Sequence, residues 1–429
     1  MPNTFPVRVL GLLAVTGILA CTGGCNHSAS DITTVKFWAM GREGEVVSEL
    51  LPEFERIHPG IKVVVQQLPW TAAHEKLLTA FAGNAMPDIC QLGNTWIPEF
   101  VALNALEPLD SLASASAVID RKDYFEGIWD TNVVGGQLYG VPWYVDTRLL
   151  FYNRDLLKQA GFATPPKTWE EWSRMNAGLK ALVGNDRYSV LLPLNEFEPL
   201  LALALQHEAP LLRDGGRWGN FRSASFRRTL AYYRDMFKNK WAPPMTNSEI
   251  SNVWAEFARG YFSFYISGPW NIGEFKRRLP ADQQSIWMTA SLPGPDGPGA
   301  SIAGGASLVV FRSSKHKPQA LQLIEYLSTP AIQERFHGLT GNLPPRRATW
   351  RYESLDHDIY AKAFREQLER ARATPKVPEW ERIATEMRLV TERVIHGDID
   401  IDQAVNELDA RTDRILEKRR WMLDRGTIK

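Results

Sequence analysis

Cysteine is nearly missing from this chain. Only Cys21, Cys25 and Cys90 occur in 429 residues, and only Cys90 lies in the body of the sequence. That excludes a disulfide framework. Cys90, within "PDICQLG", reads as a small buried hydrophobe. Histidine is also sparse, at 8 residues. No HExxH, cysteine pair or close histidine cluster appears, so no metal site and no cofactor are expected. Net charge is absent: Lys plus Arg and Asp plus Glu stand at 49 each, which argues against a nucleic-acid partner. No Walker A sequence is present, and no G-x-G-x-x-G follows a strand. The glycines of "GGASLVV" precede their apolar run instead of following it. No short-period repeat points to a solenoid.

Long apolar runs are lacking too. Residues 9–20, behind Arg8, form a run too short to span a bilayer but long enough for a signal-peptide core. It ends in "ILAC", which resembles the lipobox of bacterial lipoproteins. Cys21 is the expected lipidated residue and Cys25 the alternative; a plain secretory signal with incidental cysteines is the competing reading. "NHSASD" then reads as a tether.

What the chain does have is aromatic surface, including 15 Trp. These serve either a large core or a set of stacking platforms. The body alternates β-rich runs with helical periodicity. "TTVKFWAM", "IKVVVQQL" and "DICQLG" are strands, separated by the helices of "EVVSELLPEFERIHPG" and "AAHEKLLTAFAG". The order β-α-β-α-β implies parallel strands in an α/β layer. It returns with "RLLFYN", a helix capped by Thr168 with Glu171 three residues on, and "YSVLLPL". "YFSFYIS", "SIWMTA" and "GGASLVVF" are further strands, and "LPGPDGPGAS" is a linker. From Lys317 onward the pattern is helical. Two α/β lobes plus a helical C-terminal part fit better than one sheet.

Four blocks occur in order: "FAGNAMPDICQLGNTWIPEF", "LYGVPWYVDTRLLFYNRDLLKQAGFATPPKTWEEW", "FARGYFSFYISGPWNIGEF" and "GGASLVVFRSSKHKPQALQLIEYLSTPAIQERF". Together they resemble the family 1 extracellular solute-binding proteins of ABC importers. The resemblance implies a type II periplasmic-binding-protein fold, with an interlobe hinge and a ligand cleft. It implies a mono- or oligosaccharide ligand, permease subunits as partners, a lipid anchor as the only membrane attachment, and a monomer. The expected division is a leader over 1–20 and a tether over 21–32. Lobe 1 then comprises 33–145 and 302–328, and lobe 2 comprises 146–301 and 329–429.

A sugar needs aromatic planes for its C–H faces and partners for its hydroxyls, since an unpaired buried polar group costs about 1–3 kcal/mol. "YVDTRLLFYN" offers Asp146 as a hydroxyl acceptor. The alternative is a structural ion pair between Asp146 and Arg148. Gly41 and Arg42 follow the first strand, where open sheets bind ligands; Glu43 there is equally a favourable helix start. Trp70 follows the second strand, and Asn94, Thr95 and Trp96 the third. Glu196 is the expected acid of the second lobe, with Asn195 beside it and Glu198 as the alternative. Trp270, in a GPW turn, is the strongest stacking candidate. Gly304 and Gly305 let backbone approach a ligand. "GNLPPRRATW" resembles the family's late loop, which implies an Arg in the cleft, Arg346 in preference to Arg347, with Trp350 as a further candidate. Phe226, Leu230, Tyr233 and Phe237 share a helical face and belong to the core.

A secreted glycoside-acting enzyme is a competing reading, since it needs two carboxylates about 5–10 Å apart. So is a phosphate-bearing solute such as glycerol phosphate, which Arg42, Arg148 and Arg346 would favour. Neither has a motif behind it.

Overall fold

The computed structural model describes residues 32–426. The leader, the candidate lipobox and nearly all of the expected tether lie outside the described residues.

Strand β1 (Thr33–Met40) turns Val35, Phe37 and Ala39 inward in a period-two pattern, with Met40 buried at its end. β2 (Ile61–Leu68) pairs with it in parallel along its whole length, from Thr33 opposite Ile61 to Met40 opposite Leu68. β3 (Ile89–Gly93) pairs in parallel on the other side and is buried at all five positions. A strand covered on both faces has no polar side to show, which is why it reads as a continuous apolar run. β4 (Val141–Asp146) leads to a second sheet of β5 (Leu149–Asn153), β6 (Val190–Leu191), β7 (Phe264–Ser267) and β8 (Trp287–Ala290). The chain then returns as β9 (Gly304–Val310). The first sheet has the order β2-β1-β3-β9-β4 and the second β8-β5-β7-β6. β9 runs antiparallel to both neighbours. The two expected α/β lobes are therefore present.

β4 carries a proline, which cannot donate to a ladder and is confined to edges and bulges. Both conditions hold. β4 is an edge strand, and the register slips there: Ala306 faces Tyr144 while Ser307 faces Pro142. Trp143 is the extra residue of this bulge. Its indole stacks on Phe336 with ring centroids 4.4 Å apart.

The first long helical pattern is broken where Pro52 enters it. α1 (Gly41–Val46) starts five residues earlier than the apolar spacing suggests, and a separate helix begins at Leu51. α2 (Trp70–Ala82) fills the second crossover. α3 (Trp169–Val183) is capped as expected, with Thr168 Oγ1 accepting from the Glu171 backbone N–H at 3.1 Å. α4 (Glu198–Ala204) follows β6. α5 (Ala224–Lys238) buries Phe226, Leu230, Tyr233 and Phe237 on one face, as the spacing requires. α6 (Trp270–Arg278) opens at the GPW turn.

The helical C-terminal part is shared between the lobes, which corrects the expected boundary at 328/329. α7 (Pro330–Thr340) packs on lobe 1: Ile332 and Phe336 join the core that contains β1 and Trp143. The chain crosses later, after Gly341, where Leu343 O accepts from Val145 N at 2.9 Å. Trp350 is buried in the lobe 2 core, and its Nε1 donates to Pro344 O. α8 (Trp380–His396) and α9 (Ile401–Ile415) complete the other lobe 2 core. The second crossing also moves slightly, because Ser301 and Ile302 still pair with Ala371 and Arg372 in lobe 2. Three strands of chain thus join the lobes.

Candidate functional site

A cleft of about 620 Å³ lies between the lobes. Its lobe 1 wall is built where strands end. α1 brings Arg42 and Glu43, the start of α2 brings Trp70, and the turn after β3 brings Asn94, Thr95 and Trp96. Trp70 and Trp96 meet edge to face, with centroids 5.7 Å apart. Gly41 does not line the cleft; it makes room for Trp70. Its φ is +53°, and a Cβ there would lie 2.8 Å from Trp70 Cδ1. Asn94 is nearly buried. Its Oδ1 accepts from Ser307 Oγ at 2.9 Å, while its Nδ2 has no partner among the described residues. A buried donor left open is a place for a ligand acceptor.

The lobe 2 wall centres on Arg148. Its Nη1 donates to both oxygens of Asp146 at 2.7 and 2.9 Å, and its Nη2 to Glu198 Oε1 at 3.2 Å. Its guanidinium lies 4.7 Å from the centroid of the Trp270 ring. Burial pushes the Asp146 carboxyl above its ordinary value; Arg148 pulls it back and Glu198 adds to the rise. Burial opposes the charge on Arg148, but the fields of Asp146 and Glu198 outweigh it and hold the guanidinium more firmly protonated. Asp146 thus lines the cleft and forms the ion pair with Arg148 at the same time. Trp270 stays 39% exposed. Its ring lies directly over Gly268, where a Cβ would come within 1.9 Å of Cζ3. The glycine of the GPW turn is what lets the indole present its face.

Gly304 and Gly305 line the cleft next to Asp146. Their immediate need for glycine is the neighbouring strand: a Cβ would lie 2.7 Å from Asp146 O at Gly304 and 2.3 Å from Tyr144 O at Gly305, whose φ is +114°.

Two further expected residues, besides Gly41, are corrected. Glu196 does not line the cleft. The turn before α4 sends it to a small adjoining cavity, where its carboxylate accepts from Asn247 Nδ2 at 2.5 Å. Glu198, the first residue of α4, takes the cleft position. Arg346 is buried at the hinge, with Nε on Asp123 Oδ2 and Nη1 on Ser328 O, both at 2.6 Å. Arg347 is also spent, on Glu369 and the backbone carbonyl of Tyr124. The late loop reaches the cleft through Asn342 instead, whose Nδ2 donates to Glu43 Oε1 at 2.6 Å.

Tyr144, Phe197, Leu201, Ile302, Thr374 and Glu381 also line the cleft and carried no sequence signal of their own. Glu381 comes from the first turn of α8 in lobe 2 and meets Thr95 of lobe 1. Burial pushes its carboxyl up, while the Thr95 hydroxyl and the field of His74 pull it down. Among the described residues no group of three or more His, Cys, Asp or Glu is arranged to hold a metal ion.

Residues 40–334 match the model of the bacterial extracellular solute-binding proteins. The chain belongs to that family. A solved structure of the sugar-binding protein MalE from the phytopathogen Xanthomonas citri is 58% identical, with a TM-score of 0.89. The alignment covers 91% of this chain and 99% of that one. The GacH receptor of Streptomyces glaucescens shares the fold at 23% identity and a TM-score of 0.76, over 90% and 98% of the two chains. The diacetylchitobiose-binding protein DasA of Streptomyces coelicolor is 22% identical over 87% of this chain and 89% of its own. The two lobes of this solute-binding protein have the type II periplasmic-binding-protein fold, with the cleft at their junction.

Proposed function

We propose that this solute-binding protein captures a mono- or oligosaccharide between its lobes and hands it to the permease subunits of an ABC importer. The observation that carries the reading is the pairing of half-exposed indoles with hydroxyl partners on both walls. Trp70 and Trp96 stand with Asn94 and Glu43 on one side, and Trp270 with Asp146 and Glu198 on the other. Arg42, Thr95, Gly304 and Gly305 complete the proposed contact set. The similarity to MalE and DasA supports a carbohydrate in that place.

A phosphate ligand is disfavoured in this cleft. Arg42 is paired with Glu45 at 3.0 Å, Arg148 is held between two carboxylates, and Arg346 lies elsewhere. The family is one of binders, and we read this chain as a binder without catalytic activity: Asp146 and Glu198 are both committed to Arg148. A thermal-shift screen of the purified protein against neutral glycans, with product analysis of each incubation, tests the reading. A shift without released product is expected; hydrolysis, or no shift with any glycan, overturns it.

We also read the mature chain as beginning at a lipid-modified Cys21, on the strength of "ILAC", and acting as an anchored monomer outside the cytoplasm. Mass spectrometry of membrane-extracted protein is expected to find a diacylated Cys21; an unmodified or different N-terminus rejects it.

A further inference from the structure

The cleft is not the only sizeable cavity on lobe 2. A second pocket of about 420 Å³ lies next to it, and Thr374 lines both. The two differ in charge. Four carboxylates, Glu43, Asp146, Glu198 and Glu381, face the cleft beside Arg42 and Arg148. Arg372, Arg419, Lys376 and His207 line the second pocket, with Glu208 as its only carboxylate.

Among the described residues its two guanidiniums have no ion pair. Arg372 Nη1 donates to the carbonyls of Leu205 and His207, both at 2.9 Å, which leaves its charge uncompensated. Arg419 is half-buried, and its Nε has no partner among the described residues; neither has His207 Nε2. Glu379, whose Oε2 is likewise buried without a partner among the described residues, acts on Arg419 through its field and makes no ion pair with it. Lys376, by contrast, is neutralised by Asp130 at 2.6 Å. Gly216 keeps the space over Arg419 open: its φ is +82°, and a Cβ would lie 2.7 Å from Val377 Cγ1 and 3.6 Å from Arg419 Nε. Buried polar atoms are nearly always paired in a folded protein. Two of them on one pocket wall, beside an unpaired guanidinium, describe a seat for an oxyanion. A guanidinium fork suits a carboxylate in particular.

We propose that this pocket is a subsite for an acidic sugar residue, taking its carboxylate on Arg419 and Arg372 while the neutral part of the glycan lies in the cleft. The ligand class rests on the carbohydrate reading above; the anion chemistry of the pocket does not. Sharing Thr374, the two cavities can hold adjoining residues of one ligand.

Calorimetric titration of the purified protein with D-glucuronate, D-glucose and sulfate tests this. Saturable binding of glucuronate is expected, weakened at least tenfold in Arg419→Gln, with D-glucose not competing for it. Glucuronate that does not bind, or binds equally to Arg419→Gln, overturns the proposal. So does binding that depends on Trp270 and not on Arg419, which would place the sugar acid in the cleft. Sulfate binding without glucuronate binding would make the pocket an inorganic-anion site and overturn the sugar assignment. If Arg419→Gln fails to fold by circular dichroism, Arg372→Gln, an exposed position, is judged by the same criterion. Arg419-dependent glucuronate binding in a protein that no neutral glycan stabilises would count against the cleft reading and leave the subsite standing.

Discussion

Trp270 shows what one side chain contributes when it is held half out of the core. Its ring is 39% exposed, so Trp270→Ala should disturb stability little. It should cut ligand affinity by about 1–3 kcal/mol, the range of an anchoring aromatic. Calorimetry and denaturant unfolding on the same variant check both halves; a large stability loss with unchanged affinity would make Trp270 a core residue. Arg148 should behave in the opposite way. Arg148→Met leaves Asp146 and Glu198 facing each other without their cation. A loss of about 3 kcal/mol in unfolding free energy is expected, near the low end for breaking a buried pair. An unchanged urea midpoint would refute it. His74 adds a pH dependence. Its hydrogen bond to Glu99, at 2.6 Å, raises its pKa above 6.5 against the effect of burial. A raised histidine stabilises the fold fully below the unfolded value of 6.5, and this is lost as pH rises through the folded value. The gap in urea midpoint between the wild type and His74→Gln should therefore be wide at about pH 5.5 and narrow by about pH 8.5. A gap independent of pH would assign the difference to packing.

Elements place these side chains, and small backbone requirements decide how. The turn between β7 and α6 is the clearest case. Gly268 has no need of an unusual φ, but the indole two residues on lies where a Cβ would be. Gly268→Ala should therefore displace the Trp270 ring and reduce ligand affinity as much as Trp270→Ala does. Tryptophan fluorescence and calorimetry would follow it; full affinity in this variant would mean that the ring orientation is not needed. The same logic governs β4. Pro142 and the bulge at Trp143 end regular pairing, and Gly304 and Gly305 let β9 close against Asp146. Periodicity located β9 but not β4, and it cannot reveal a bulge, because one extra residue leaves the apolar composition unchanged. It also failed between α1 and the helix that begins at Leu51, where Pro52 divides one apolar pattern into separate helices.

At the scale of the molecule, three crossings join the lobes, and Glu381 on α8 meets Thr95 on the opposite wall. A ligand held between the lobes gains its full contact set only when they are together, so it shifts the population toward the closed form. Small-angle scattering should show a smaller radius of gyration with a tight glycan than without one. Identical curves would describe a rigid scaffold whose cleft is already complete.

The sequence by itself determined the α/β class, the two lobes, the strands that end at the cleft and most of its wall. Arg42, Trp70, Asn94, Thr95, Trp96 and Trp270 all follow strands, and strand ends are local features that periodicity and turn chemistry reveal; Asp146, which closes β4, is placed by the family resemblance. Only the tertiary structure decided which of several polar neighbours faces inward. Glu196 and Glu198 are two residues apart, and the start of α4 turns one away and the other into the cleft. Arg346 and Asn342 share a loop, but Asp123 and the carbonyl of Ser328, both far away in sequence, claim the arginine. Whether α7 belongs to lobe 1 likewise depended on Phe336 meeting Trp143, a contact between distant segments that no local pattern encodes.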